Sequence, residues 1–259
     1  MKFSRKQNKE FWRSLDPNSH EYSGDSNIVR LEDRFLIDEL RSIRHGDLLD
    51  IGCGKGQRCL MFSKIIKGNI LGIDYSENMI RIAKKSESTR VKFEHTDIFS
   101  FDSRKRFDII TSCRCIINTP TDQGQMAIIK KIESLLKPSG HLILVERSRQ
   151  GLDSLNGLRK KIGLDPIPER FHNHYINESL LMPKVLENFN LIKISRLGML
   201  YVVSRVIYPK MIHPLRPKEK HVINNIGIEL QKITNELDSY GMQFMIHLQK
   251  KSKIKSTKK

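Results

Sequence analysis

Between Leu48 and Gly56 the chain reads Leu-Leu-Asp-Ile-Gly-Cys-Gly-Lys-Gly, and this run constrains the fold more than any other. Leu48, Leu49 and Ile51 around Asp50 read as the end of a buried strand. Gly52, Gly54 and Gly56 in alternation permit φ > 0 and let a ligand lie against bare backbone. A nucleoside-like ligand is the natural occupant. After the predicted strand Ile70-Leu71-Gly72-Ile73, Asp74 stands about twenty residues beyond the loop, where it can accept hydrogen bonds from both ribose hydroxyls. A dinucleotide site would space its glycines G-x-G-x-x-G so that a helix N-terminus meets a pyrophosphate. The spacing here, G-x-G-x-G behind Asp50, is not that pattern.

Further elements follow in order. Val91 to Ile98 alternates like a strand and carries Asp97 at its end, Phe107 to Ser112 reads as a fully buried strand, and Gly140 to Glu146 as the next, after a helix ending near Pro138. Leu191 to Arg196 and Met242 to Leu248 read as a sixth and a seventh strand. Helices are predicted from Ile28 to about Ser42 and from Pro183 to Asn188, with Ser76 as the N-cap of another. Strands alternating with helices imply an α/β fold with helices on both faces of a mostly parallel sheet. Ligands sit beyond the carboxyl ends of such strands, so Gly52 to Gly56, Asp74, Asp97, Cys113 and Glu146 are expected to line one crevice. The stripe Ile223, Ile226, Leu230, Ile233 and Leu237 is expected to pack on a core or on another subunit.

Asp50-x-Gly52-x-Gly54-x-Gly56 resembles motif I of the class I S-adenosylmethionine-dependent methyltransferases. The resemblance extends through Gly72 to Ile80 and through Asp97. It implies a Rossmann-like fold of seven strands with the last antiparallel, and S-adenosyl-L-methionine as cofactor. By the same resemblance Asp50, Gly52, Cys53, Gly54 and Gly56 form the loop under the methionine end, and Asp74 holds the ribose. Tyr75 and Met79 follow it, Asp97 accepts from the adenine amino group, Ile98 flanks the ring, and Cys113 lies at the end of strand four. Residues 46–249 would form the methyltransferase domain, with insertions at about 147–183 and 199–240. Residues 1–45 would form an N-terminal helical cap in which Phe11, Trp12 and Tyr22 are candidates for a lid. Residues 250–259 are a basic tail expected to be disordered.

Methyl transfer requires a nucleophile aligned with the sulfonium methyl, and an alcohol acceptor also needs a general base within hydrogen-bond reach. His172 and His174, in the first insertion beside Asn173 and Tyr175, are the candidate bases. Cys113 and Cys115 flank Arg114 at the position of the catalytic thiol of cytosine-C5 methyltransferases, but without the Pro-Cys context. Packing is the commoner role of such thiols. Glu146 and Asn118 alone do not make a metal site. The insertions (Gly151 to Arg159, His172 to Tyr175 and Ser204 to Lys210) look similar to methyltransferases of bacterial surface-polysaccharide and sugar biosynthesis. That likeness implies O-methylation of a sugar-type hydroxyl on a small molecule or glycan.

The 259 residues carry a net charge of +17. Such a surplus permits attraction to nucleic acid, to anionic lipid headgroups or to a phosphorylated acceptor. An RNA methyltransferase and a non-catalytic cofactor-binding module therefore stand as alternatives. There is no basic segment interleaved with aromatics of the kind that stacks single-stranded bases. No run approaches the eighteen or so apolar residues of a membrane span, and Met1 to Lys6 lacks the apolar region of a signal peptide. The expectation is a cytoplasmic protein whose four cysteines are reduced thiols.

Overall fold

The computed structural model describes residues 4–14 and 25–252. Tyr22 and the last seven residues of the expected tail lie outside them. After α1 (Arg5–Ser14) and α2 (Ser26–Ile43) come β1 (Leu48–Ile51), α3 (Gln57–Phe62), β2 (Ile70–Asp74), α4 (Glu77–Ala83), β3 (Val91–His95) and β4 (Phe107–Cys113). The second half holds α5 (Asp122–Leu135), β5 (Leu136–Arg147), α6 (Arg149–Lys161), α7 (Glu178–Asn188), β6 (Phe189–Ser195), α8 (Gly198–Val202), α9 (Tyr208–Met211), α10 (Val222–Ile233) and β7 (Gln243–Lys250). A π-helical turn, Val203–Ile207, joins α8 to α9.

The seven strands form one sheet in the order β3-β2-β1-β4-β5-β7-β6. β1 pairs in parallel with both β2 and β4, whereas β7 lies antiparallel between β5 and β6. The order reverses between β1 and β4, so the crevice that a doubly wound sheet offers opens above Ile51 and Cys113. Because side chains alternate along a strand, each strand feeds two cores. Leu48, Ile109 and Ile143 pack with Phe35, Leu36 and Leu40 of α2 and Phe62 of α3. Leu49, Ile110 and Leu144 pack on the other face with Ile128, Ile129 and Ile132 of α5 and Val185 of α7. This is the Rossmann-like arrangement the resemblance implied.

α2 starts where Asp25 caps Asn27 N at 3.1 Å and ends at Arg44 with φ 59°. Its buried stripe contains Ile28, Phe35, Leu36 and Leu40 but also Glu32 and Glu39. Each carboxylate is partnered across the fold. Glu39 Oε2 lies 2.8 Å from His247 Nδ1 and its Oε1 accepts from Lys193 Nζ at 2.7 Å. Glu32 Oε2 accepts from Arg58 at 3.1 Å and faces Arg114 at 3.5 Å, while its Oε1 accepts from the Gln243 amide.

Several expectations need correcting. Lys250 belongs to β7, and its Nζ donates to the carbonyls of Glu133 and Leu136. Within the 147–183 insertion, α6 occupies the first part and Ser148 bridges back to Ile176. The predicted stripe divides: Leu237 packs on the core and Ile223 and Leu230 are half-buried, but Ile226 and Ile233 face outward, and the fully buried face of α10 is Asn224, Gly227 and Ile228. The cause is close packing. A Cβ on Gly227 would lie 3.2 Å from Leu200 Cα, so α10 and α8 meet at a glycine, and Asn224 Nδ2 is used up on the Lys218 and Glu219 carbonyls.

Candidate functional site

β1 delivers the chain into a turn whose three glycines are all left-handed, with φ of 74°, 54° and 78° at Gly52, Gly54 and Gly56. Two of them are also needed for packing. A Cβ on Gly52 would lie 2.6 Å from Cys115 Sγ, and one on Gly56 would lie 2.4 Å from Phe93 Cζ. A Cβ on Gly54 would meet nothing within 4 Å, so its backbone faces open space. Asp74 at the end of β2 holds this loop in place: Oδ2 accepts from Gly54 N at 2.9 Å and Oδ1 from Ser76 N at 2.8 Å. Burial raises its carboxyl above the ordinary range. Asp50 is buried one layer below, accepting from Thr111 Oγ1 at 2.7 Å and Cys59 Sγ at 3.4 Å, and burial pushes its carboxyl up to about 6. Asp50 thus ties β1 to β4 and α3.

A cavity of about 1080 Å³ lies above the loop. Asp50, Gly52, Cys53, Gly54, Asp74, Tyr75, Cys113 and His172 line it. Gly56, Met79, Asp97, Ile98, Glu146 and His174 are not among its lining residues. Ser76 lines it too, at the N-cap position of α4 where the sequence put it, but without the bond a cap makes. Its side chain makes no cap bond, and its buried Oγ has no hydrogen-bond partner. An unpartnered buried hydroxyl is costly unless a ligand supplies the missing bond. With the open backbone of Gly54 and the Asp74 carboxylate beside it, this hydroxyl fits the polar sugar of a nucleoside.

Asp97 is engaged elsewhere. Its Oδ1 accepts from Phe99 N at 2.9 Å, and its Oδ2 pairs with Lys9 and, at 3.1 Å, with Arg5, both from α1. These cations hold its carboxyl below the ordinary range against the opposing effect of burial. Arg5 also stacks over the Phe99 ring at 3.9 Å. Further along α1, Asn8 Nδ2 donates to the carbonyls of Asn118 and His172, at 2.7 and 2.8 Å. Phe11 stacks on the His172 ring with centroids 4.7 Å apart, and Trp12 meets it edge-on at 5.2 Å. One short helix therefore bridges the end of β3, the loop after β4 and the 147–183 insertion.

The two histidines part company. His172 is buried under α1 and lines the cavity. His174 is turned to the start of α5, where Nε2 lies 2.8 Å from Asp122 Oδ1 and the Arg149 guanidinium approaches at 3.3 Å. Burial drives the Cys113 and Cys115 thiols well above their ordinary values, which disfavours a thiolate nucleophile at either.

Cationic side chains on the cavity wall were missed in the sequence. Arg30, Arg34 and Arg41 of α2 line it, as do Arg58, Arg114, Arg147 and Arg170. Asp33, Asp38 and Glu219 oppose them, with Arg58 Nε 2.8 Å from Asp33. A signal for the α2 members existed: 30, 34, 37, 38 and 41 are spaced as one helical stripe, opposite the buried one. Arg114 sits at φ 54° directly after β4, which aims it over the crevice.

Glu146 turns beneath the site. Ser112 Oγ and the backbone N–H groups of Cys115, Ile116 and Ile117 all donate to it at 2.9 to 3.4 Å. Burial nonetheless outweighs these donors and pushes its carboxyl up to about 7. The folded state then retains a proton that the unfolded chain releases near 4.5. A folded-state pKa above the unfolded one means stability declines as pH rises through that window, by about 3 kcal/mol for this group. Urea unfolding at about pH 5 and about pH 8 is expected to show the decline, and Glu146→Gln to flatten it. An unchanged slope in the variant would rule out Glu146 as its source.

Among the described residues no helix is long and apolar enough to cross a membrane. A family model described as a methyltransferase domain matches residues 44–162. A putative methyltransferase of Invertebrate iridescent virus 6 is 28% identical over 143 residues, covering 54% of this chain and 52% of the relative. A demethylmenaquinone methyltransferase of Lactococcus lactis is 32% identical over 121 residues, covering 42% and 47%. The chain thus spans about half the length of the curated relatives it matches. Among solved structures, the N-methyltransferase NodS of Bradyrhizobium japonicum in complex with S-adenosyl-L-homocysteine superposes with a TM-score of 0.60 at 13% identity, covering 96% of this chain and 99% of that one. The [4+2]-cyclase SpnF superposes at 0.55 with 19% identity, covering 92% and 86%. The strand order and the family match together identify residues 44–162 as matching a methyltransferase domain, carried on a Rossmann-like sheet.

Proposed function

We propose that this chain binds S-adenosyl-L-methionine above the Gly52 to Gly56 loop and transfers its methyl group to a small-molecule acceptor, a sugar-type hydroxyl on a molecule that also carries negative charge. The observation that carries the reading is the single cavity in which the open Gly54 backbone, Asp74 and the orphaned Ser76 hydroxyl adjoin His172 and the arginine wall. Relatives named for demethylmenaquinone and a structural neighbour titled an N-methyltransferase support a small acceptor over a nucleic acid. The arginine wall supports an anionic group such as a phosphate or carboxylate, which guanidinium forks bind in bidentate fashion.

In this reading Asp74 accepts from the ribose hydroxyls and Ser76 Oγ completes the polar rim. The methionine end lies against the loop at Gly54 and Lys55, since the N–H groups of Gly52, Cys53, Gly54 and Gly56 already donate to Ile73, Asp74 and Cys53. Tyr75 flanks the nucleoside, with Met79 buried behind it, and Asp97 with Ile98 receives the adenine once Lys9 and Arg5 yield Oδ2. When bound, the cofactor supplies an electrophilic methyl on a sulfonium. The chain supplies alignment, dryness and a base. α1 closes the cavity with Trp12, excluding water, and His172 is the group that takes the acceptor proton, while His174 orients the insertion through Asp122.

Labelled methyl transfer tested across sugar nucleotides, glycans, quinols and RNA separates the acceptor classes. Against a hydroxyl acceptor, His172→Ala is expected to lower kcat about 100-fold or more with little change in cofactor affinity. Equal turnover in the variant would remove the base assignment. Transfer only to RNA, with activity falling steeply with salt, would replace the small-molecule reading.

A further inference from the structure

Residues 207–233 present a surface that the cofactor site does not explain. Ile207, Met211, Ile212, Leu215, Val222, Ile226 and Ile233 are all exposed, with Met211 and Ile233 at 78%, Leu215 at 68%, Val222 at 63% and Ile212 at 58%. Single exposed aliphatics need no explanation, but seven within one folded segment do. They are not the outward half of a poorly packed core, because α10 already buries its opposite face at Asn224, Gly227 and Ile228. Cations are interspersed among them. Arg216, Lys218 and Lys220 are exposed, and no carboxylate pairs with them among the described residues.

The segment is held in a fixed pose. Glu219 accepts Ser26 Oγ at 2.6 Å on its carboxylate and Asn27 Nδ2 at 2.8 Å on its carbonyl. Asn224 Nδ2 closes the turn onto the Lys218 and Glu219 carbonyls, and Lys210 Nζ donates to the Ile162 carbonyl at 2.8 Å. Glu219 and Ser26 also line the cavity, so the apolar and basic surface is continuous with its rim.

We infer that this surface docks the protein onto an anionic lipid bilayer, with Met211, Ile212, Leu215 and Val222 entering the headgroup and acyl boundary and Arg216, Lys218 and Lys220 meeting the phosphates. Apolar side chains rimmed by cations are what interfacial binding requires, and neither component suffices alone for stable attachment. Charge selects lipid over a second copy of the chain. A twofold contact through this face would set the same three cations against one another, and each whole chain carries +17. An anionic bilayer is complementary to both. Docked in this way, the cavity mouth faces the lipid–water interface. The inference does not rest on the methyl-transfer reading, and its readout is binding.

The test is flotation of the full chain with vesicles of phosphatidylcholine alone and of phosphatidylcholine with about a third phosphatidylglycerol. Wild-type protein should float with the anionic vesicles only. Ile212→Ser with Leu215→Ser should weaken partitioning about tenfold or more, and Lys218→Gln with Lys220→Gln by about fivefold per lysine. Both double variants should keep the wild-type thermal unfolding midpoint within about 2 °C, because the altered side chains are exposed. Failure of the wild-type chain to float would overturn the inference. So would flotation that the serine variant leaves intact, which would trace binding to diffuse charge alone. Sedimentation equilibrium provides the remaining arm: a wild-type dimer that Ile212→Ser with Leu215→Ser dissociates would assign the surface to a second copy.

Discussion

Asp74→Ala is expected to weaken S-adenosyl-L-methionine binding about 100-fold or more, read by calorimetric titration. The carboxylate does two things at once. Its oxygens fix Gly54 N and Ser76 N at 2.9 and 2.8 Å, and on the proposed reading the lone pairs left over receive the ribose. Charge-assisted hydrogen bonds contribute about 1.5–3 kcal/mol each, so losing two of them reaches two orders of magnitude. Asn in place of Asp retains one acceptor for the loop and should recover part of the affinity without restoring both ribose bonds. If Asp74→Ala bound the cofactor as wild type does, the site would have to lie elsewhere in the cavity. Because burial raises the Asp74 carboxyl, affinity should also fall as the pH drops toward that raised value, where the protonated group loses an acceptor.

The second large effect concerns stability. Glu32 is fully buried and receives Arg58, Arg114 and Gln243. Glu32→Ala leaves Arg114 without its carboxylate and Arg58 with Asp33 alone, and removing the buried acid from such a cluster costs about 3 kcal/mol. For a chain of this size that is a drop of about 10 °C in unfolding midpoint. Differential scanning calorimetry would measure it, and a change within about 1 °C would mean that water reaches the cluster. Arg58 and Arg114 also line the cavity, so acceptor recognition should suffer alongside stability.

How much of this was legible follows from where the information sits. The glycine loop, Asp74 and the strands were readable because their signals are local: left-handed turns demand glycine, and buried strands demand unbroken aliphatic runs. Glu32 and Glu39 looked like ordinary polar positions of an amphipathic α2. Their partners lie as far as 211 and 208 residues away, at Gln243 and His247, and no local pattern announces such pairs. The stripe on α10 was read half correctly, Ile226 and Ile233 facing outward, for a related reason. Its aliphatics outnumber the Asn224, Gly227 and Ile228 face, but contact with α8 selects the smallest residue rather than the most apolar. Ser76 takes the N-cap position that its sequence suggests, but its hydroxyl makes no cap bond and stays at the cavity wall. The separation of His172 from His174 depended on which of two nearby side chains α1 would cover, and that contact spans more than half of the chain.

α1 runs from Asp97, beside the cavity, to His172 on its wall. On the proposed function, a helix so placed would couple the exchange of cofactor to the exchange of acceptor. Demethylated cofactor could not leave while the Arg5 and Lys9 contacts and the Phe11 stack hold, so turnover should be limited by an opening step that neither substrate concentration can accelerate. Its kinetic signature would be a pre-steady-state burst of methylated product followed by a slower linear phase, with the slow phase, rather than the burst, quickening as added salt screens the Asp97 pairs.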